Sequence, residues 1–285
     1  MKVLITGANG QLGRDMLRVL ARNHRVTGFS REEWDICDHL RTHWILRKER
    51  PDAVIHCAAY TDVDGSEDHP RKAYLTNTKG TKVLADGCGA EGVRLVYIST
   101  DYVFDGHREE GYTERSIPFP INVYGKTKRM GERWVERLCP DHLILRTAWV
   151  YGHGGHNFPR AILERARRNE PLRVVHDQRG SPTYTVHLAE KTAELLVSPL
   201  RGILHTAGGG DCSWYEFADA ILARADWSRN RLTRISSCEL DRKAPRPAVS
   251  ILRTERLPAA GIEPLPHWKQ GLDAFFDERR QNTHD

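Results

Sequence analysis

Through the first half of the chain, short runs of aliphatic and β-branched residues alternate with longer stretches whose apolar positions recur every three to four residues. The runs at 3–6, 25–29, 53–58 and 94–99 have the length of buried strands. The stretches at 11–22, 39–50 and 71–90 have helical spacing; in the first, Leu12, Met16, Leu17 and Leu20 share a face. Pro51 stops the second helix. A loop rich in Gly, Pro and charge follows at 106–122, then a helix at 124–137 and a strand at 142–147. Strand–helix alternation at this pitch predicts right-handed βαβ units and a parallel sheet. The second half is less regular, with a strand at 172–177, a helix at 186–197, a strand at 202–206 and a helix at 214–225. From Asp226 onward the chain reads as Arg, Pro and short turns, ending in a frayed polar tail at 279–285. The expected architecture is α/β: a doubly wound parallel sheet over residues 1–148 and a smaller α/β lobe over 149–285. Residues 186–206 are expected to return to the main sheet.

Composition narrows the function classes. With 39% hydrophobic and 28% charged residues over 285 positions, the chain can bury a core and stay in solution. No apolar run reaches the ~18–20 residues of a membrane span. Met1-Lys2-Val3-Leu4-Ile5-Thr6-Gly7 reads as a buried strand entering a glycine turn rather than a signal peptide, so a cytoplasmic location is expected. A formal charge of +5 is too mild for a dedicated nucleic-acid binder but suits an anionic small molecule such as a nucleotide. The Arg-rich stretch 160–173 accordingly reads as a solvated helix. Six scattered cysteines with no Cys-x-x-Cys read as reduced thiols, against a disulfide scaffold or zinc finger.

Three segments carry chemistry. Gly7-Ala8-Asn9-Gly10-Gln11-Leu12-Gly13 joins the first strand to the first helix. Glycines there permit a tight turn and a close backbone approach to a pyrophosphate on the N–H groups at the helix's positive end. The spacing G-x-x-G-x-x-G departs from G-x-G-x-x-G, so alone it also fits a plain glycine turn; its βαβ setting favours cofactor binding. At the end of the second strand, where an acid would hold a ribose 2′-hydroxyl, stand Ser30 and Arg31, which suit a 2′-phosphate. NADP(H) is therefore expected, with Glu32 and Glu33 keeping NADH open. Tyr124-Gly125-Lys126-Thr127-Lys128 places Tyr124 and Lys128 one helical turn apart. A nearby ammonium lowers a phenol's ordinary pKa of about 10 toward acid–base work near neutrality, although the same spacing also fits a surface pair. Finally, Ser99-Thr100-Asp101-Tyr102-Val103-Phe104 ends the fourth strand, on the side where doubly wound sheets bind ligands. A hydroxyl there either binds a substrate oxygen or caps the next turn. The histidines of Gly152-His153-Gly154-Gly155-His156 read as a polar loop, and no metal site is expected.

In combination, these segments resemble the extended short-chain dehydrogenase/reductases, which have a Rossmann-like fold. More narrowly, the chain resembles the dTDP-4-dehydrorhamnose reductases, which catalyse the last step of dTDP-L-rhamnose synthesis. The narrower likeness adds Asn122-Val123-Tyr124-Gly125, Arg146-Thr147-Ala148-Trp149-Val150-Tyr151-Gly152, Asp177-Gln178-Arg179-Gly180-Ser181-Pro182-Thr183, Cys212-Ser213-Trp214-Tyr215-Glu216-Phe217-Ala218 and Arg246-Pro247. It spans nearly the whole chain and is weakest at 226–240. The resemblance implies NADPH-dependent reduction of the C4 keto group of a dTDP-sugar. In it Tyr124 would give the proton, Lys128 would hold the ribose and lower the Tyr124 pKa, and Thr100 would bond the reacting oxygen. Asp101, Tyr102 and Trp149 would line the sugar pocket, with Arg246 at the nucleotide diphosphate. Gly10, Gln11, Leu12, Ser30, Asp35, Ile36, Ala58, Ala59 and Tyr60 would surround the cofactor. The implied partners are the dTDP-sugar and a second copy in a homodimer, with neither nucleic acid nor membrane. Nucleotide-sugar 4,6-dehydratases use Thr-Asp-Glu where Tyr102 stands third here, which disfavours them. Two other readings stay open: a related deoxysugar ketoreductase or epimerase, and a non-catalytic subunit like the β-subunit of methionine adenosyltransferase. Thr100 and Thr147-Ala148-Trp149 favour the reductase.

Overall fold

The computed structural model describes residues 1–281. Its first part runs β1 (Lys2–Thr6), α1 (Gln11–Leu20), β2 (Arg25–Phe29), α2 (His39–Glu49), β3 (Ala53–His56), α3 (Val63–Asp68), α4 (Pro70–Tyr74), α5 (Thr81–Glu91), β4 (Arg94–Thr100), α6 (Val123–Leu138) and β5 (His142–Thr147). There follow β6 (Val150–Tyr151), α7 (Phe158–Arg167), β7 (Leu172–Val175), β8 (Arg179–Gly180), β9 (Thr183–Tyr184), α8 (Thr185–Leu196) and β10 (Gly202–His205). The last elements are β11 (Cys212–Ser213), α9 (Trp214–Arg224), β12 (Leu232–Ile235), α10 (Arg256–Ala259) and α11 (Trp268–Gln281).

One six-stranded sheet, ordered β10-β5-β4-β3-β1-β2 and parallel throughout, forms the centre. Its inner strands β1, β3, β4 and β5 are buried on both sides because both sides are covered, while the edge strand β2 is partly exposed. Alternation along each strand sends Val3, Ile5, Ala53 and Ile55 into one core with Met16 and Leu20 of α1 and Leu188 and Leu195 of α8. Leu4, Val54, Leu95 and Tyr97 face the other core with Ile45 of α2, Leu84 of α5 and Val135 of α6. The chain leaves β1 for β2 on one side and comes back to β3 on the other, so the strand order reverses at β1. A crevice opens outside the carboxyl ends at such a reversal, and the glycine loop lies there. The later segments build smaller units: β7 with β12 in parallel, β8 with β11 antiparallel, and β6 with β9 in parallel.

Several expectations needed correcting. The helix expected at 71–90 is α4 and α5 joined by a π-helical turn, Leu75–Gly80. The widened turn keeps Asn77 against Tyr60, accepting from its N–H at 2.8 Å and donating to its carbonyl at 3.0 Å. The Arg-rich helix stops at Arg167; it buries Pro159, Ile162 and Leu163 rather than lying free in solvent, and Arg173 belongs to β7. The stretch after Asp226 holds β12, α10 and α11, whose apolar residues Leu257, Trp268, Leu272, Phe275 and Phe276 join the first core. The expected fraying at 279–281 is instead the end of α11, and 282–285 lie outside the described residues. No helix among the described residues is long and apolar enough to cross a membrane.

Gly13 shows how tightly the first turn is packed. A Cβ there would lie 2.2 Å from the Gly7 carbonyl oxygen and 2.8 Å from the Ala8 Cα. Backbone cannot yield as a side-chain tip can, so Gly13→Ala should cost about 1–3 kcal/mol. Thermal unfolding should show a Tm several degrees below the parent; an unchanged Tm would contradict the packing.

Candidate active site

The glycine loop is shaped for close approach. Gly7 has φ +70°, and a Cβ on it would stand 2.7 Å from the Ala58 backbone. The Gly10 N–H closes the turn on the Gly7 carbonyl at 3.0 Å. Gly10 is also the N-cap of α1, with no side chain capping the first-turn N–H groups. A cleft of about 1080 Å³ opens beside it. Gly7, Gly10, Ser30, Arg31, Asp35, Ile36, Ala58, Ala59 and Tyr60 all line that cleft. Gln11, Leu12 and Gly13 do not. The Gln11 amide is held by the Val150 carbonyl at 3.2 Å and by Asn157 at 2.8 Å, and Leu12 packs on the core. Their share of the site is the backbone of the first helical turn.

Sequence reasoning missed the far wall, formed by α4 and the π-helical turn, which adds Arg71, Lys72 and Lys79 to Arg31. These four cations, with the uncapped N–H groups of the first turn of α1, fit a polyanionic dinucleotide. At Ser30 the Glu33 carboxylate accepts the backbone N–H at 2.7 Å, which ties one of the two neighbouring acids to the turn. Among the described residues no metal ligand set lies along this cleft; His153, in the loop read as polar, stacks on Phe275 with ring centroids 4.5 Å apart.

At the end of β4, Thr100 donates to the Asp101 carboxylate at 3.0 Å and accepts the Tyr102 N–H at 3.2 Å. The Thr100 hydroxyl lies beside that of Tyr124. The Tyr102 and Tyr124 rings meet edge to face, centroids 5.6 Å apart. Asn122 caps α6 by accepting the Gly125 N–H at 2.8 Å, while the Glu67 carboxylate takes the Val123 N–H at 2.8 Å. Gly125 is needed because a Cβ would sit 2.0 Å from the Tyr102 carbonyl oxygen. One turn on, Lys128 is buried, its Nζ donating to the Ile98 carbonyl at 2.6 Å and lying 4.1 Å from the Tyr97 ring centre. Tyr124 and Lys128 thus both face β4.

The electrostatics depart from the expected depressed phenol. Burial pushes the Tyr124 hydroxyl above its ordinary value; the Thr100 hydrogen bond works against this, and the charge of Asp101 adds to it. Lys128 is not a counterweight, because burial lowers its own pKa to about 7. Burial likewise raises Asp101 to about 6, despite the hydrogen bond from Thr100 and the nearby Ser250 hydroxyl. Tyr102 rises to about 12 through burial and the charge of Asp101.

The remaining expected residues lie on the second lobe. Trp149 holds a left-handed backbone, φ +48°, and its ring stacks on Trp214 with centroids 3.5 Å apart. It also packs on the cluster of Val103, Phe104 and Tyr112 that follows β4. Arg246 lies beside Tyr102 but is not free: Asp64 of α3 grips it with two bonds of 2.9 and 2.7 Å. That grip holds the Asp64 carboxyl at about 2. Lys243 pairs with Asp68 at 2.6 Å, so two ion pairs pin the 243–246 segment to α3 beside the site. Neither α3 nor this clasp had a periodic signal.

A family model described as the RmlD substrate binding domain matches residues 1–281. The dTDP-4-dehydrorhamnose reductase of Streptomyces griseus is 40% identical over 96% of this chain and 92% of its own length. The chain belongs to the dTDP-4-dehydrorhamnose reductase family. Within it, the spore coat polysaccharide biosynthesis protein SpsK of Bacillus subtilis is 41% identical over 98% of each chain. The crystal structure of the dTDP-4-dehydrorhamnose reductase of Bacillus anthracis in complex with NADP superposes with a TM-score of 0.95. It covers 97% of this chain and 99% of that one at 40% identity. Membership therefore extends through the irregular second lobe, including the stretch whose elements had no legible period.

Lys128 gives a pH test of the site. Its folded pKa of about 7 lies below the unfolded value of 10.5, so between them the unfolded chain binds the extra proton. This group's penalty is complete below pH 7 and is relieved as pH rises toward 10.5. Relative to Lys128→Met, wild-type stability should climb across that interval. Parallel stability curves would contradict the buried ammonium.

Proposed function

We propose that the chain reduces the C4 keto group of dTDP-4-dehydro-L-rhamnose to the alcohol of dTDP-L-rhamnose, with NADPH as reductant. The observation that carries this reading is the placing of the Thr100 and Tyr124 hydroxyls beside each other at the carboxyl end of β4, with Lys128 one turn further along α6. Bound NADPH supplies the hydride for C4. Tyr124 Oη holds a proton that burial keeps in place and passes it to the C4 oxygen as that oxygen becomes an alkoxide. Thr100 orients the same oxygen and steadies the phenolate that Tyr124 becomes. Lys128 reaches the ribose, while Asp101, Tyr102 and Trp149 shape the sugar pocket. Arg246, held by Asp64, positions Tyr102 and borders the diphosphate. The lining residues of the glycine-loop cleft, from Gly7 to Tyr60, take the dinucleotide.

In this reading residues 1–148, with 186–206, carry the cofactor, and 149–285 mainly carry the substrate. Support for the first part of that division comes from β10, which pairs with β5 in the main sheet. Arg31 in the cleft, and a Glu33 carboxylate occupied by Ser30, favour NADPH over NADH. The reading places a soluble homodimeric enzyme in the cytoplasm.

Purified protein given NADPH and dTDP-4-dehydro-L-rhamnose should oxidise the cofactor and yield dTDP-L-rhamnose, faster than with NADH. Tyr124→Phe should lose turnover by about 10²–10⁴-fold while binding NADPH normally. Absence of turnover with NADPH still bound would shift the assignment to another deoxysugar or to a non-catalytic subunit. Wild-type turnover by Tyr124→Phe would remove the proton-donor role.

A further inference from the structure

Outside the lining of the cleft, two histidines and an aspartate come together. His39 and His43 are four apart on α2 and therefore on one face, ring centroids 4.4 Å apart. Asp86 faces them from α5; its Oδ2 lies 3.5 Å from Nε2 of both rings. The two helices approach closely because Gly87 has no side chain: a Cβ there would stand 2.8 Å from a methyl of Leu46.

The three groups are placed poorly for direct hydrogen bonds, which favour about 2.7–3.2 Å. His43 Nε2 is buried and has no hydrogen-bond partner among the described residues. A tetrahedral zinc ion, with bonds of about 2.0–2.1 Å, sets its ligand atoms about 3.3–3.4 Å apart. The two measured edges at Asp86 are close to that, and all three ligand atoms lie within 4.8 Å of one another. Cations on the same helices are engaged elsewhere, Lys82 on the Trp134 ring and Arg47 with Glu91.

We propose that His39, His43 and Asp86 form a binding site for a divalent transition-metal ion, with zinc as the fitting case. Two imidazoles and one carboxylate favour zinc, cobalt or nickel over magnesium or calcium, which take oxygen ligands. Three protein ligands leave a fourth position for water, and the exposure of His39 opens the site to solvent. The ion ties α2 to α5 as a clamp. Because α2 directly follows the 30–37 segment that lines the dinucleotide cleft, the clamp also fixes the base of that wall.

The test is calorimetric titration of the chelator-treated full chain with zinc sulfate, for wild type, His39→Ala and Asp86→Asn. His39 is exposed and Asp86 only half-buried, so the variants keep the packing of the two helices. Wild type should show one site at least about tenfold tighter than either variant, since loss of even an outer-shell partner costs a metal site about 10–100-fold. Zinc should also raise the Tm of wild type and not that of His39→Ala. The proposal is overturned if wild type takes up no zinc, or if all three proteins bind it equally. Equal binding with a lower Tm of the variants in chelator would assign the trio to an ordinary ion pair.

Discussion

Glu132 and Arg146 are charged, fully buried and joined by two parallel N–H···O bonds of 2.8 Å between α6 and β5. Ser99, the residue before Thr100, donates to the same carboxylate at 2.6 Å, and Arg129 closes it from outside at 2.8 Å. Burial alone would push the Glu132 carboxyl up; Arg146, Ser99 and Arg129 outweigh it and hold the group below its ordinary value. Removing one partner of such a pair costs about 3–5 kcal/mol, whereas replacing both by apolar groups is often neutral or better. Stability therefore does not explain the pair. Position does: Glu132 sits one turn beyond Lys128 and two beyond Tyr124, so it locks the rotation of α6 against the strand that carries Thr100.

The rest of the site is arranged around that lock. The start of α6 is held by Asn122 and Glu67, and Gly125 lets it settle on the Tyr102 carbonyl. The Asp64–Arg246 and Lys243–Asp68 pairs bring the second lobe onto α3. On the cofactor side, the strand reversal at β1 gathers the Gly7 turn, Ser30 and Ala58 at one crevice. These polar contacts act beside a shared apolar core, in which Tyr151, Phe217, Leu272 and Phe275 pack with Val3, Ile5 and Met16.

Elements with strong local signals were legible in the sequence. β2 and β5 have the expected bounds, and α1, α2 and α6 differ only at their ends, because period and caps agree with the buried face of each. Nine of the expected cofactor residues line one cleft because they follow strand ends, which a doubly wound sheet brings together. What escaped was set by tertiary contact. The π-helical turn exists to seat Asn77 on Tyr60, α3 is short and polar, and α11 is apolar only where it meets the core. The buried environment of Lys128 and the half-buried one of Tyr124 were equally invisible: spacing places them on one face but does not say how far that face is from water.

The Glu132–Arg146 pair positions α6 for catalysis. Its most direct test is the double variant Glu132→Met/Arg146→Met, assayed for Tm, NADPH affinity and kcat with dTDP-4-dehydro-L-rhamnose. The account predicts a folded protein that still binds NADPH, with kcat reduced by at least about tenfold as α6 loses its fixed rotation. A folded double variant with the wild-type kcat would contradict it.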